Sequence, residues 1–392
     1  MSDHKVGFFT ACTLVVANMV GTGVFSSLGF QVASLPSVPV LLFLWLCGGL
    51  VALCGGLSYI ELARLFPGSG GEYHYIRSAY PRIISYFTGA ISIFAGFAAP
   101  VALAAITFSR YFGQFYAGIE EKYLSLLLIT IITAFHCFSL KLGSSFQFVA
   151  TAIKIGVLLL FIAVGISGKG FANPITWDMN QIGLMASKGF AVSLVYVSFA
   201  YSGWNACIYI FSELKNPEKD ISKAILIGTG TVTLLYVLLN FVFLKTVAME
   251  RLDGVIEVGA VSAIALFGTV GGKWMAAIIS TLLVSTISAM VWVGPRVIDR
   301  MLLGKVEKER EAKNKLPLSA IAIQYTVTIT LLVTETFEQI LVSAGMLLSI
   351  SSSLCVAILF INKDKIATGK LIAPTLFLLA NIYTIVVLMG WQ

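Results

Sequence analysis

Charge is what this chain has least of. Only 11% of its 392 residues are Asp, Glu, Lys or Arg, against 58% hydrophobic, and the mean hydropathy is +0.92. A soluble domain carries about 25% charged residues, so a water-soluble fold is excluded. Histidine is scarce too. His4, His74 and His136 are scattered, no metal-ligand spacing occurs, and no nucleophile–base pair stands out, so neither a metal, a cofactor nor an enzymatic centre is expected. The six cysteines (Cys12, Cys47, Cys54, Cys137, Cys207, Cys355) all fall in apolar stretches, which suits small buried side chains and argues against a disulfide framework. The net charge of +7 could suggest nucleic acid, but a cytoplasmic excess of lysine and arginine accounts for it, so no nucleic-acid partner is expected.

What the chain does have is apolar sequence of membrane length, again and again. Stretches near 8–33, 39–63, 84–112, 123–140, 147–167, 188–213, 223–248, 273–295, 317–334, 339–361 and 371–390 are each long enough to cross a bilayer. The expectation is an all-α polytopic membrane protein with about 11 spans, forming one transmembrane domain over 1–392. Val261 to Phe267 is too short to span and is expected as a helix in the loop before span 8. The first apolar run is too long for a cleaved signal peptide and passes directly into the fold. With the N-terminus cytoplasmic, 18 of the 26 lysines and arginines lie on the inner side and 7 on the outer, with Lys154 left inside a span. This predicts a multi-pass protein of the cell membrane with Gln392 outside. The mixed-sign run from Lys305 to Lys315 reads as a solvated inner loop.

Two spans are interrupted. The first reads Val20-Gly21-Thr22-Gly23-Val24-Phe25 at its break, and the sixth Phe199-Ala200-Tyr201-Ser202-Gly203-Trp204-Asn205. A mid-helix glycine costs about 1 kcal/mol relative to alanine, and an unwound turn strands backbone N–H and C=O groups that lipid cannot satisfy. Such breaks persist where they line a cavity, and paired breaks in two halves point to a transporter's substrate site. Their offset of five spans makes the halves inverted. The predicted repeats are 6–168 (spans 1–5) and 186–363 (spans 6–10), with 368–392 as span 11. No letter-by-letter repetition supports this; it rests on the break positions.

The breaks suggest a chemistry. N–H groups opening the second half of span 1 carry the positive end of a half-helix dipole, and Gly21, Thr22 and Gly23 let a carboxylate approach them. Carbonyls at Ala17, Asn18, Phe199 and Ser202 can take an ammonium. Val20, Ala200, Tyr201 and Gly203 complete the lining, with Trp204 and Asn205 as gating residues beside it. The plainer reading is that the glycines only allow tight helix packing; two breaks in matched spans weigh against it. Lys154 lies in span 5 with no carboxylate nearby in sequence, about 12 Å from the inner end at about 1.5 Å per residue. Such depth is awkward for snorkelling and suggests a protein-facing ammonium, either a fixed cation bridging helices or a group that loses its proton during a cycle. Tyr236 in span 7 has the depth to reach the site. Ser280, Thr281, Ser285, Thr286 and Ser288 make span 8 hydroxyl-rich, with Thr281, Ser285 and Ser288 on one face; Ser285 is the candidate for coupling. Glu61 and Glu213 end spans 2 and 6 on the inner side and are expected as gate or loop-anchoring carboxylates near basic residues.

These residues resemble a known family. Gly21-Thr22-Gly23-Val24-Phe25 is similar to the Gly-Ser/Thr-Gly-Ile-Phe motif of the amino acid–polyamine–organocation (APC) superfamily. Tyr59-Ile60-Glu61-Leu62 with Phe66-Pro67-Gly68-Ser69-Gly70-Gly71-Glu72-Tyr73 resembles its span 2–3 signature. The second break, followed by Glu213-Leu214-Lys215-Asn216-Pro217-Glu218-Lys219, resembles span 6 of the L-amino acid transporter (LAT) family, and Gly294-Pro295-Arg296-Val297-Ile298 resembles the end of its span 8. The resemblance implies a LeuT-type fold and sodium-independent amino acid transport by alternating access. It implies that Lys154 occupies the place of a sodium ion in sodium-coupled relatives, tying span 5 to spans 1 and 8, and that Tyr236 links the substrate region to span 1. Ser202 resembles the residue found in transporters of small neutral amino acids, where members taking cationic cargo can carry an acid. No other acid sits mid-span near the breaks, so the expected cargo is alanine, serine, cysteine or glycine, as in a bacterial alanine–serine–cysteine exchanger. The family usually has twelve spans where this chain shows eleven. Animal light subunits bond a heavy subunit through a cysteine in the span 3–4 loop; Gly113 to Lys122 has none, so no disulfide-linked heavy subunit is expected.

The leading expectation is an exchanger of small neutral L-amino acids. The alternatives are a proton-coupled symporter in which Lys154 titrates, a basic amino acid or polyamine antiporter, and a sensor that binds without turnover.

Overall fold

A computed structural model describes residues 7–68, 71–115, 118–138, 144–179, 181–303 and 318–390, and the regular elements among them are helical. The first apolar stretch gives α1 (Phe8–Met19) and α2 (Gly23–Ser26), the latter continued by a 3-10 turn, Ser27–Phe30. Then come α3 (Val38–Leu65), α4 (Gly71–Ala79), α5 (Arg82–Ile91) and α6 (Ala99–Gly113), the last two joined through a π-helical segment, Ser92–Ala98. Next are α7 (Glu121–Phe138), α8 (Ser144–Ser167), α9 (Gln181–Met185) and α10 (Lys188–Ala200). A 3-10 segment, Ala206–Glu213, leads to α11 (Pro217–Thr246) and α12 (Val258–Leu303). The chain closes with α13 (Leu318–Thr334), α14 (Phe337–Ile361) and α15 (Ile372–Met389).

Helix starts follow local chemistry. The Ser37 and Ser187 hydroxyls accept the N–H of Val40 and Phe190 at the heads of α3 and α10. Thr336 and Gln339 form a reciprocal capping box on α14. Gly268, at φ +73°, breaks the helical geometry inside α12 just after the short apolar piece Val261 to Phe267.

Seven helices among the described residues are long and apolar enough to cross a membrane: Phe8–Phe30, Val38–Leu65, Arg82–Gly113, Pro217–Thr246, Val258–Asp299, Phe337–Ile361 and Thr368–Met389. That is fewer than the eleven expected. Thr151–Ser167, Lys188–Ala200 and Leu318–Thr334 are apolar but shorter. For Lys188–Ala200 the reason is the second break, which ends the helix halfway through the expected stretch. The Lys305–Lys315 loop and Gln392 lie outside the described residues.

The core is built where α11 packs along α1 and α3, and α10 against α3 and α14. Trp45, Tyr59, Tyr201 and Tyr236 are fully buried there. Large apolar side chains point outward from α7 (Leu127, Ile131, Phe135) and α15 (Leu376, Leu379, Ile382, Val386), as a lipid-facing surface requires.

Candidate functional site

The two breaks meet. At the first, α1 stops at Met19, the Gly21 N–H folds back onto the Met19 carbonyl at 2.9 Å, and α2 restarts at Gly23. At the second, α10 stops at Ala200, the Ser202 N–H bonds the Phe199 carbonyl at 2.9 Å, and Gly203 at φ +101° turns the chain. Each break seats a glycine against the opposite helix. A Cβ on Gly23 would lie 2.5 Å from the Ala200 Cα, and one on Gly203 would lie 2.8 Å from the Asn18 carbonyl. Gly21 is different: only the Met19 oxygen comes within 4.0 Å of a Cβ placed there. Gly23 and Gly203 are thus needed for the close packing of the two breaks, while Gly21 has free space beside it.

One hydroxyl joins the two helix ends. Tyr236 Oη, on fully buried α11 surface, is 2.6 Å from the Met19 carbonyl and 3.2 Å from the Ala200 carbonyl. With one proton it donates to one at a time. Its ring meets Trp45 edge-on at 5.7 Å and Tyr201 at 5.0 Å, and the Tyr201 hydroxyl donates to the Trp45 carbonyl at 3.0 Å. Trp45 is pinned in turn by Nε1 on Gln31 Oε1 at 3.0 Å.

Lys154 is 5% exposed, and its Nζ donates to the Val20 carbonyl at 2.8 Å and the Thr286 hydroxyl at 3.2 Å. The ammonium thus ties α8 to the first break and to α12. Of the α12 hydroxyls it is Thr286 that Lys154 reaches, while Ser285, the coupling candidate, is buried beside it. Nor do the three hydroxyls on the expected face act together. Thr281 is exposed and bonds its own helix, and Ser288 meets His136 at 2.9 Å.

A cavity of about 80 Å³ opens along the second break, lined among others by Tyr201, Ser202, Gly203, Trp204, Asn205 and Glu72. Among the described residues, Ala17, Asn18, Val20, Gly21, Thr22 and Gly23 do not line it. Trp204 packs edge-on against Tyr59 at 4.7 Å, and the Asn205 amide donates to Glu72 Oε1 at 3.2 Å. Glu72 was not among the expected site residues: no acid sits mid-span near the breaks, but α4 brings one in from between the spans. Its place in the Gly-Gly-Glu-Tyr motif was the available signal. Glu61, by contrast, is a loop anchor as expected, paired with Arg64 and, at 3.0 Å, with Lys370. Glu213 is exposed. Ser69, Gly70 and the Arg296 side chain lie outside the described residues.

A cavity with a few polar side chains runs along the second of two interrupted helices that meet, inside an otherwise apolar helical bundle. Comparison with known proteins gives the family. The chain matches the amino acid permease family over residues 6–391 and belongs to it, within the APC superfamily. It is 31% identical over 258 residues to the b(0,+)-type amino acid transporter 1 of Mus musculus, covering 64% of this chain and 53% of that one. It is 27% identical over 341 residues to the serine/threonine exchanger SteT of Bacillus subtilis (strain 168), covering 84% and 76%. It is 29% identical over 263 residues to the large neutral amino acids transporter small subunit 2 of Mus musculus, covering 63% and 49%. The matched region thus spans about half the length of these mouse relatives.

Proposed function

We propose that the chain exchanges small neutral L-amino acids across the cell membrane by alternating access, without sodium. The carrying observation is the Lys154 ammonium on the Val20 carbonyl and Thr286 hydroxyl. A carbonyl and a hydroxyl at a helix break are hard oxygen ligands of the kind an alkali cation uses, and here a covalently attached cation holds them. That supports a cycle in which no sodium ion is needed to set the break. The exchanger SteT, a relative over most of this chain, supports antiport.

In this reading the two breaks belong to inverted five-helix repeats of a LeuT-type fold, 6–168 and 186–363, with 368–392 beyond them and the N-terminus cytoplasmic. The cargo carboxylate sits on the N–H groups at Gly21, Thr22 and Gly23, taking the Gly21 N–H over from the Met19 carbonyl, and the space beside Gly21 supports it. The ammonium rests on carbonyls of Ala17, Asn18, Phe199 and Ser202. Val20, Ala200, Tyr201 and Gly203 wall the site. Tyr236, Trp204 and Asn205 transmit its occupancy to α11, α3 and α4. Ser202, neutral at the cavity wall, supports alanine, serine, cysteine or glycine over cationic cargo. The cysteine-free loop from Gly113 to Lys122 supports a protein that works without a disulfide-linked heavy subunit.

The test is radiolabelled alanine uptake into proteoliposomes, with and without internal alanine, at symmetric pH and without sodium. Preloading is expected to raise uptake strongly. Uptake indifferent to internal alanine refutes exchange, and a sodium requirement refutes the role given to Lys154.

A further inference from the structure

Glu72 is a carboxylate buried, among the described residues, without a cation beside it. Glu72, the second residue of α4, is 8% exposed. The Tyr59 hydroxyl donates to Oε1 at 2.7 Å, the Asn205 amide reaches the same oxygen at 3.2 Å, and the Ser351 hydroxyl donates to Oε2 at 2.8 Å. These donors come from α3, the second break and α14, and all are neutral. The titratable groups around it are Tyr59 of α3, Tyr75 of α4, Tyr209 of the 206–213 segment and Cys355 of α14. The Cys355 thiol lies 3.8 Å from the Glu72 backbone carbonyl. Arg77 and Arg82, on α4 and α5, are exposed, His74 sits beside Gly68, and Glu61 is occupied by Arg64 and Lys370. No described cation neutralises Glu72, and a buried charge held only by neutral donors is expensive. Burial pushes the Glu72 carboxyl above its ordinary range, and the Tyr59 and Ser351 hydroxyls pull it back only in part.

The carboxylate is also placed to act. It lines the cavity that runs along Tyr201, Ser202 and Asn205, so water there has access to it. Its two oxygens together fasten Asn205, the last residue of the second break, to α3 and α14.

We infer that Glu72 is a proton-binding site that clasps the second break as a carboxylate and loosens it on taking up a proton from cavity water. A hydronium ion gives its proton to one carboxylate oxygen. An O–H bond forms there, a water is left, and the negative charge is cancelled. The protonated oxygen becomes a donor with reduced capacity to accept, and all three hydrogen bonds lose the charge that strengthened them. The ligand of the site is the proton. The inference deepens the exchange reading by giving the inner cavity a titratable latch distinct from Lys154.

The test is alanine self-exchange in proteoliposomes with equal pH on both sides, over a series from weakly acidic to weakly alkaline. The wild type is expected to speed up as pH falls and then level off, with a slope of up to about tenfold per pH unit, the limit for one proton. Glu72→Gln, a neutral isostere, is expected to give a flat profile, and Glu72→Asp a titration at a shifted pH. A Glu72→Gln profile that parallels the wild type, or a flat wild-type profile, overturns the inference. Infrared difference spectra of the purified protein over the same series separate this from the exchange reading. A protonated-carboxyl band that grows with acid in the wild type, is lost in Glu72→Gln and moves in Glu72→Asp supports the proton site even if alanine is not the cargo. Absence of such a band in the wild type overturns it even if exchange is found.

Discussion

The contact between the two breaks makes Gly23→Ala the sharpest test of the site. The new Cβ would stand 2.5 Å from the Ala200 Cα, 2.6 Å from its Cβ and 3.3 Å from its N. Carbon atoms rest at about 3.5–4.0 Å, so the breaks must separate by about 1–1.5 Å. Two of the obstructing atoms are backbone, and no rotamer change relieves them. The Ala200 carbonyl is also within reach of Tyr236 Oη, so the displacement strains that bridge as well. Overpacking of this kind costs about 1–3 kcal/mol, and each 1.4 kcal/mol charged to the closed state is about tenfold in rate. The expected outcome is lower thermal stability in detergent together with a loss of alanine exchange of about tenfold or more. Ala200→Gly on top should rescue only in part, because it removes the Cβ but leaves the Cα. Gly21→Ala is the contrast. Its Cβ meets nothing closer than 4.0 Å, so stability should stay within about 0.5 kcal/mol of wild type while alanine affinity falls. Wild-type stability and exchange in Gly23→Ala would refute the close approach of the breaks. Unchanged alanine affinity in Gly21→Ala would refute the carboxylate site.

Tyr236→Phe keeps the ring contacts but leaves the Met19 and Ala200 carbonyls without their shared donor; a loss of about 1–3 kcal/mol and slowed exchange are expected, read by thermal unfolding and flux. Lys154→Met removes a charged donor from the Val20 carbonyl and should cost about 1.5–3 kcal/mol and abolish exchange. Thr286→Val should weaken exchange more than Ser285→Ala, and equal effects would contradict the bonding seen at Lys154. Ser202→Asp places an acid on the cavity wall, and competition assays should then show lysine or arginine displacing labelled alanine better than in the wild type.

The sequence by itself determined that this chain lives in a membrane, that its helices break at Gly21–Gly23 and Ser202–Gly203, and that Lys154 is out of place among lipid-length apolar residues. Those features were readable because their cost belongs to residue types in local context: a charge or an unwound turn in apolar surroundings needs a reason wherever the fold takes it. Tertiary structure decided the partners. Lys154 meets Thr286 across 132 positions, and Glu72 meets Ser351 across 279. One residue, about a quarter of a turn in helical phase, separates Ser285 from Thr286, so only the packing shows which of them Lys154 reaches. Glu72 lies between the expected spans, in the short and polar α4, so nothing local marks it as buried. Only the packing of α3, α14 and the second break around it makes that carboxylate a buried one, since burial is a property of neighbours that the chain brings from afar.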